Sequence, residues 1–202
     1  MVKKNVVTVT PALMVIFLGI HAVQAQVVTI PDPNLEAALR QELNIDPAIP
    51  ITTDVLENLD SLTADSQNIT DLRGIEYCKN VRGLVFAKNR ISDLAPLKEL
   101  VSLEGLHLGD NYIEDIAPLQ GLINLQFLVL DNNYISDITP LQGLTALIGL
   151  SLDKNCITDL SVVSGLASLK GFNIDMNPLS AAAINEQLPL LPPGAIIEAG
   201  FP

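Results

Sequence analysis

Tryptophan is missing from this 202-residue chain, and aromatic residues of every kind make up only 4% of it. A core with so little aromatic bulk has to close by another route. Basic residues are scarce too: 11 Lys and Arg stand against 23 Asp and Glu, for a formal net charge of −12. A phosphate backbone demands a basic face, so this balance argues against a nucleic-acid ligand. It argues equally against docking on an anionic membrane. CxxC, HExxH and phosphate-loop motifs are absent. What the chain has is leucine, 33 residues of it, within a hydrophobic content of 49%. That content is too high for disorder. So much Leu with so few aromatics points to one simple packing unit used many times, within one domain or at most two small ones.

Residues 1–25 read as a secretory signal. Lys3 and Lys4 form a positive start, an apolar stretch is densest from Ala12 to Ile20, and Val23-Gln24-Ala25 offers small residues for cleavage before Gln26. The apolar stretch is shorter than the roughly 20 residues a spanning helix needs. No Cys sits just after the cleavage point, so a lipid anchor is not expected. Removing Lys3 and Lys4 takes the net charge from −12 to −14. The expected location is secreted, periplasmic or cell-envelope, with no membrane insertion once the signal is cleaved. Nothing resembling a wall anchor or sorting tail follows.

A self-similarity of period 22 runs through the rest. Asn89-Arg90-Ile91-Ser92-Asp93-Leu94 returns as Asn111-Tyr112-Ile113-Glu114-Asp115-Ile116, then as Asn133-Tyr134-Ile135-Ser136-Asp137-Ile138 and Asn155-Cys156-Ile157-Thr158-Asp159-Leu160. Gln67-Asn68-Ile69-Thr70-Asp71-Leu72 precedes them and Asn177-Pro178-Leu179-Ser180 follows. An apolar ladder keeps step, from Leu59, Leu62 and Ala64 to Leu169, Phe172 and Ile174. The pattern L-x-x-L-x-L-x-x-N-x-I is the leucine-rich repeat signature. It predicts an α/β solenoid: a curved parallel sheet on the concave side, short helical or 3-10 turns on the convex side, and a helical N-terminal cap. The column Asn89, Asn111, Asn133, Asn155 and Asn177 is expected to be a buried structural ladder that satisfies backbone groups at each turn. Gln67 takes that place in the first turn. Asp93, Asp115, Asp137 and Asp159 look like caps of the convex turns, and Pro96, Pro118 and Pro140 suit a first helical turn. Val162 replaces Pro in the next copy, which predicts a looser turn. Recurrence in every repeat makes these Asp and Asn columns structural rather than catalytic.

The ends need caps, because a terminal repeat otherwise exposes its core. Pro33 to Leu43 has apolar residues at helical spacing behind Asp32 or Asn34 as cap, and Ile51 to Glu57 suggests a second short helix. Ser180 to Leu188 suits a closing helical turn, Pro192-Pro193-Gly194 a bend, and Ala195 to Ala199 a last strand. The expected division is 1–25 signal peptide, 26–58 helical cap, 59–179 about six repeats, and 180–202 C-terminal cap. With Asp32-Pro33-Asn34-Leu35 opening the cap, Ile69-Thr70-Asp71-Leu72 the first turn, Ile91-Ser92-Asp93-Leu94-Ala95-Pro96-Leu97 repeated down the coil and Asn177-Pro178-Leu179-Ser180 closing it, the run from Ile30 to Pro202 resembles the secreted bacterial leucine-rich repeat proteins of internalin type. The resemblance implies binding of another macromolecule, often a protein, through the concave sheet. It departs from typical internalins in its short array and in showing no C-terminal Ig-like region or wall anchor, so host-cell invasion is not implied.

The concave face would carry the ligand. Its central column is Thr63, Val85, His107, Val129, Ser151 and Asn173. Phe127 stands in the column beside it among glycines, and Tyr112 and Tyr134 lie past the ladder. Exposed aromatics on a sheet are informative, so Val85, His107, Phe127, Val129, Tyr112 and Tyr134 are the candidate contact residues, with Asp131 and Asp153 at their side. Asp131, Asp153 and Asp175 would stack on adjacent strands about 4.8 Å apart. A cation such as calcium would relieve their repulsion; the plainer reading is three solvated acids near Lys154, and no metal or cofactor is assigned. His107 is the one His after the signal and has no partner at a catalytic spacing, so no enzyme is expected. Cys78 and Cys156 fall more than three repeats apart, roughly 15 Å or more on strand spacing, beyond disulfide reach, and two free thiols follow. Asn68-Ile69-Thr70 is a glycosylation sequon, relevant only in a eukaryotic secretory pathway. The function expected is an exported, monomeric module for a protein or peptide. The alternative is a passive envelope component or a fragment of a larger adhesin.

Overall fold

The computed structural model describes residues 25–191 together with the backbone of 196–197; the signal segment and the Pro192-Pro193-Gly194 bend lie outside the described residues. The 22-residue period translates into a sheet of seven parallel strands in sequence order. These are β1 (Ser61–Thr63), β2 (Gly83–Val85), β3 (Gly105–His107), β4 (Phe127–Val129), β5 (Gly149–Ser151), β6 (Gly171–Asn173) and β7 (Ile196–Ile197). The register advances by one period per strand, so Leu62, Leu84, Leu106, Leu128, Leu150 and Phe172 form one row across the sheet. Those side chains are buried, as is the next inward row, where Ala64 sits beside the much larger Phe86. The solenoid expected from the repeat is what the structure shows.

Convex 3-10 turns answer the strands at Ile75–Tyr77, Ala95–Leu97, Ala117–Leu119, Thr139–Gly143 and Val163–Gly165. Proline decides where each turn starts. Pro96, Pro118 and Pro140 are the second residue of their turns, still within the first turn, where a fixed φ and a missing N–H cost nothing. The two turns that lack Pro begin two residues later in the repeat, at Ile75 and Val163. In the first of them Gly74 stands in the Pro position with φ +106°, and a Cβ there would lie 2.2 Å from Cδ1 of Ile30, part of the cap. The Asp column differs from expectation by one residue. The cap positions are Leu94, Ile116 and Ile138, and Asp93, Asp115 and Asp137 stand just before them. Each carboxylate instead accepts the N–H two residues on, from Ala95, Ala117 and Thr139, at 2.8 Å, which is an Asx-turn.

The Asn column is a continuous hydrogen-bond ladder. Asn111 accepts the Ile91 N–H at 3.0 Å and donates to the carbonyls of Phe86, Leu108 and Gly109. Asn133 repeats this with Ile113, Leu108, Leu130 and Asp131, and Asn155 with Ile135, Leu130, Leu152 and Asp153. Gln67 stays outside it: its side chain is exposed and reaches only the carbonyl of Asp65. A second ladder, at the same 22-residue spacing but mixed in residue type, runs along the opposite strand edge. Asn80, Ser102 and Asn124 donate to the carbonyls of Glu57, Lys79 and Val101.

At the N-terminal end α1 (Pro33–Glu42) buries Leu35 and Leu39, and α2 (Thr53–Leu56) buries Leu56. Asp32 caps α1 through Oδ1, which accepts from Asn34 and Leu35. Its Oδ2 accepts from the Thr70 N–H and hydroxyl and the Asp71 N–H. One carboxylate thus pins the cap to the first repeat. Val27 and Thr52 add an antiparallel bridge. At the other end the chain winds a π-helical turn, Ala183–Gln187, and a 3-10 turn, Leu188–Leu190. Gln187 accepts the Leu160 N–H and donates to Asp159, a counterpart to the Asp32 pin.

Candidate functional site

Because successive residues of a strand point to opposite faces, each inward Leu has an outward neighbour on either side. Those neighbours line the concave face: Val85 and His107 from β2 and β3, Phe127 and Val129 from β4. Val85, His107 and Val129 are half-buried, but Phe127 is 54% exposed with only Gly105 and Gly149 across from it in register. A large apolar ring held in water on a flat sheet is the strongest anomaly on this surface.

Tyr112 and Tyr134 leave the sheet edge one residue past the ladder. Their rings stack at 6.3 Å between centroids with 13° between planes, and they remain 51% and 53% exposed. The pair is held by the chain beneath it. Asn111 and Asn133 anchor the two turns, and Asn132 donates to Asp110 across them at 2.5 Å.

The central column does not stay open along its whole length. Ser151 and Asn173 are 5% and 1% exposed, so at this end the column is recessed at the floor of a concavity flanked by Asp131 and Asp153. Asn173 donates to Asp153 Oδ2 at 2.5 Å, while Asp153 Oδ1 accepts the Asp175 N–H at 2.8 Å. Asp131 and Asp153 are half-buried in the same concavity as His107, Val129 and Asn173. Burial pushes the Asp153 carboxyl above the usual range; the Asp175 N–H pulls it down, the charges of Asp175 and Asp131 push it up again, and Lys154 opposes them weakly. Asp131 and Asp153 are legible as a pair from their 22-residue spacing, whereas the amide of Asn173 is not, because its position in the column is that of open surface. Among the described residues no group of three or more His, Cys, Asp or Glu is arranged to hold a metal ion.

The two thiols are separate. Cys78 is buried in the core, which pushes it up to about 12, a value at which it is inert at neutral pH. Cys156 is exposed, one repeat beyond Tyr134. No helix among the described residues is long and apolar enough to cross a membrane.

Comparison with known proteins agrees with this architecture. A family model for leucine rich repeats (2 copies) matches residues 101–143. An internalin of Listeria monocytogenes, InlF, is 33% identical with a TM-score of 0.73, over 76% of this chain and 46% of its own, so the chain spans less than half of it. Internalin C2 of the same organism is also 33% identical, with a TM-score of 0.60, over 80% of this chain and 81% of its own. A leucine-rich repeat protein of Leptospira interrogans is 26% identical with a TM-score of 0.60, over 65% of this chain and 34% of its own. None of the curated proteins matches the sequence. With identity of this level across four fifths of internalin C2, the chain belongs to the internalin family of leucine-rich repeat proteins.

Proposed function

We propose that the chain is an exported binding module that takes a protein or peptide on its concave face, without catalysis of its own. Repeat solenoids use such extended concave surfaces for binding. The observation that carries the reading is Phe127, half exposed at mid-face beside Val129, with the stacked pair Tyr112 and Tyr134 at the edge. Such aromatics are common interface anchors, worth more than their number suggests. Export rests on residues 1–25, with Gln26 as the expected first residue of the secreted form.

A photo-crosslinking residue placed at Phe127, and as a control at Ile123 on the convex side, tests the face directly. In the producing culture the Phe127 position should capture a discrete protein that the Ile123 position does not. The double variant Phe127→Ala, Tyr134→Ala should then bind that captured protein at least about tenfold more weakly. Unchanged affinity would place the binding surface elsewhere.

A further inference from the structure

We propose that the recessed end of the concave face, where Asp131, Asp153 and Asp175 meet the amide of Asn173, seats a cationic side chain of the partner, a guanidinium or ammonium group. The proposal rests on the concave face being the binding surface and names the chemistry it selects.

The parallel register puts the three carboxylates on neighbouring strands, two residues beyond Val129, Ser151 and Asn173. Asp153 is fixed at both oxygens, by the Asp175 N–H and by Asn173 Nδ2. That bond holds the Asn173 amide against the acids by its nitrogen. Its other atom, Oδ1, is buried and accepts no hydrogen bond. A buried acceptor without a donor is unusual in a folded protein and calls for an explanation. The reversed amide would set Oδ1 against the Asp153 carboxylate, so rotating the side chain offers no relief.

Asp131 supplies a second acceptor. In the same column Asp65 accepts the Ala87 N–H and Asp153 the Asp175 N–H. Asp131 takes no such bond among the described residues and turns toward Gly109. A Cβ on Gly109 would stand 2.7 Å from Asp131 Oδ1, so the missing side chain is what makes room for this carboxylate. No Lys or Arg among the described residues forms an ion pair with Asp131, Asp153 or Asp175.

The site therefore offers acceptors and negative charge, and although Lys88 and His107 line the same concavity and Lys154 acts weakly on Asp153, none of them forms an ion pair with the three acids. A metal ion would need a tighter convergence of ligands than these residues show. A guanidinium matches better, because its donors are spread over a planar fork.

The experiment follows the amide resonances of the full chain by NMR during titration with N-acetyl-argininamide. N-acetyl-citrullinamide, neutral and of the same shape, and calcium chloride serve as parallel titrants. The arginine compound should shift Asn173 Nδ2 and the Asp153 and Asp175 N–H groups saturably, and the citrulline compound should not. Asp131→Asn with Asp153→Asn should weaken binding about tenfold, while Glu114→Gln, one charge removed elsewhere, should leave it unchanged. Gly109→Ala should also weaken it, with no change of charge. Equal shifts from citrulline, saturation by calcium alone, or wild-type affinity in the Asp131→Asn, Asp153→Asn variant would each overturn the seat. If a protein captured at Phe127 still binds that variant normally, the seat fails and the concave face stands. If Phe127→Ala is also without effect, the face itself is wrong.

Discussion

A single asparagine does the work of several backbone partners. Asn133 is 5% exposed and satisfies one N–H and three carbonyls that the Leu core would otherwise strand. Removing it leaves several buried polar groups unpaired, each costing about 1–3 kcal/mol. Asn133→Ala should therefore lose about 3 kcal/mol or more of unfolding free energy, read from the urea midpoint, while Gln67→Ala, outside the ladder, should change it by less than about 0.5 kcal/mol. Equal effects at the two positions would deny the ladder its role. The equivalent residue of each repeat, two positions past the inward row that follows the strand, lies in the left-handed region: Ser66, Lys88, Asp110, Asn132, Lys154 and Met176 have φ between 51° and 58°. Asn and Asp visit that region readily, Lys and Met do not. In sequence these positions carry no mark, because nothing in a Lys or a Met announces a left-handed backbone. The constraint belongs to the turn that leaves each strand, since Ser66 adopts it ahead of Gln67, outside the ladder.

At the scale of elements, what was legible and what was not separate by range. Strands, convex turns and the ladder repeat every 22 residues, so each copy corroborates the others. The caps occur once and depend on distant partners. α1 was legible from its spacing, but the bond from Asp32 to Thr70 spans 38 residues and has no periodic trace. Likewise the burial of Ser151 and Asn173 does not follow from their place in the column, where Val85, His107 and Val129 stay half-buried. The Asp32 pin carries a pH signature. Burial opposes its ionisation, but hydrogen bonds from Thr70, Leu35 and Asn34 outweigh that and hold its carboxyl below the usual range. A lowered folded value gives stability that is present above the unfolded value of about 4 and is lost as pH falls through the folded one. Asp32→Asn should cost about 2 kcal/mol at pH 7, and the gap from wild type should narrow below about pH 4. Urea midpoints at pH 7, 4 and 3 check this; a gap independent of pH would remove the charge from the explanation.

At the scale of the molecule, charge is poorly balanced. Among the described residues ion pairs form at Glu36–Arg40 and Asp71–Arg73, and Arg82 reaches Asp60 and Glu104 at 3.7 and 3.6 Å. Against a net charge of −12 that leaves most carboxylates without a counter-charge. Part of the excess is architectural, since the Asx-turn acids serve the convex turns, so it says less about the partner than the total implies. Self-repulsion of this kind destabilises the compact state and is screened by salt. Raising sodium chloride from about 10 to 150 mM should lift the melting temperature by about 2–4 °C. A flat or falling melting temperature would mean that the few ion pairs outweigh the repulsion.

Every ladder asparagine bonds only to its own coil and the one before it, and it does so with the same atoms each time. Excising 22 residues between two equivalent points, or splicing in 22 more, would leave each cut end facing a partner of the kind it lost. Array length is therefore free to drift by whole units while the two ends stay sealed. The aromatic spot and the acidic end could then be moved apart or together in steps of one strand, so the spacing of contacts along the groove becomes a trait that heredity can adjust without redesigning a single coil.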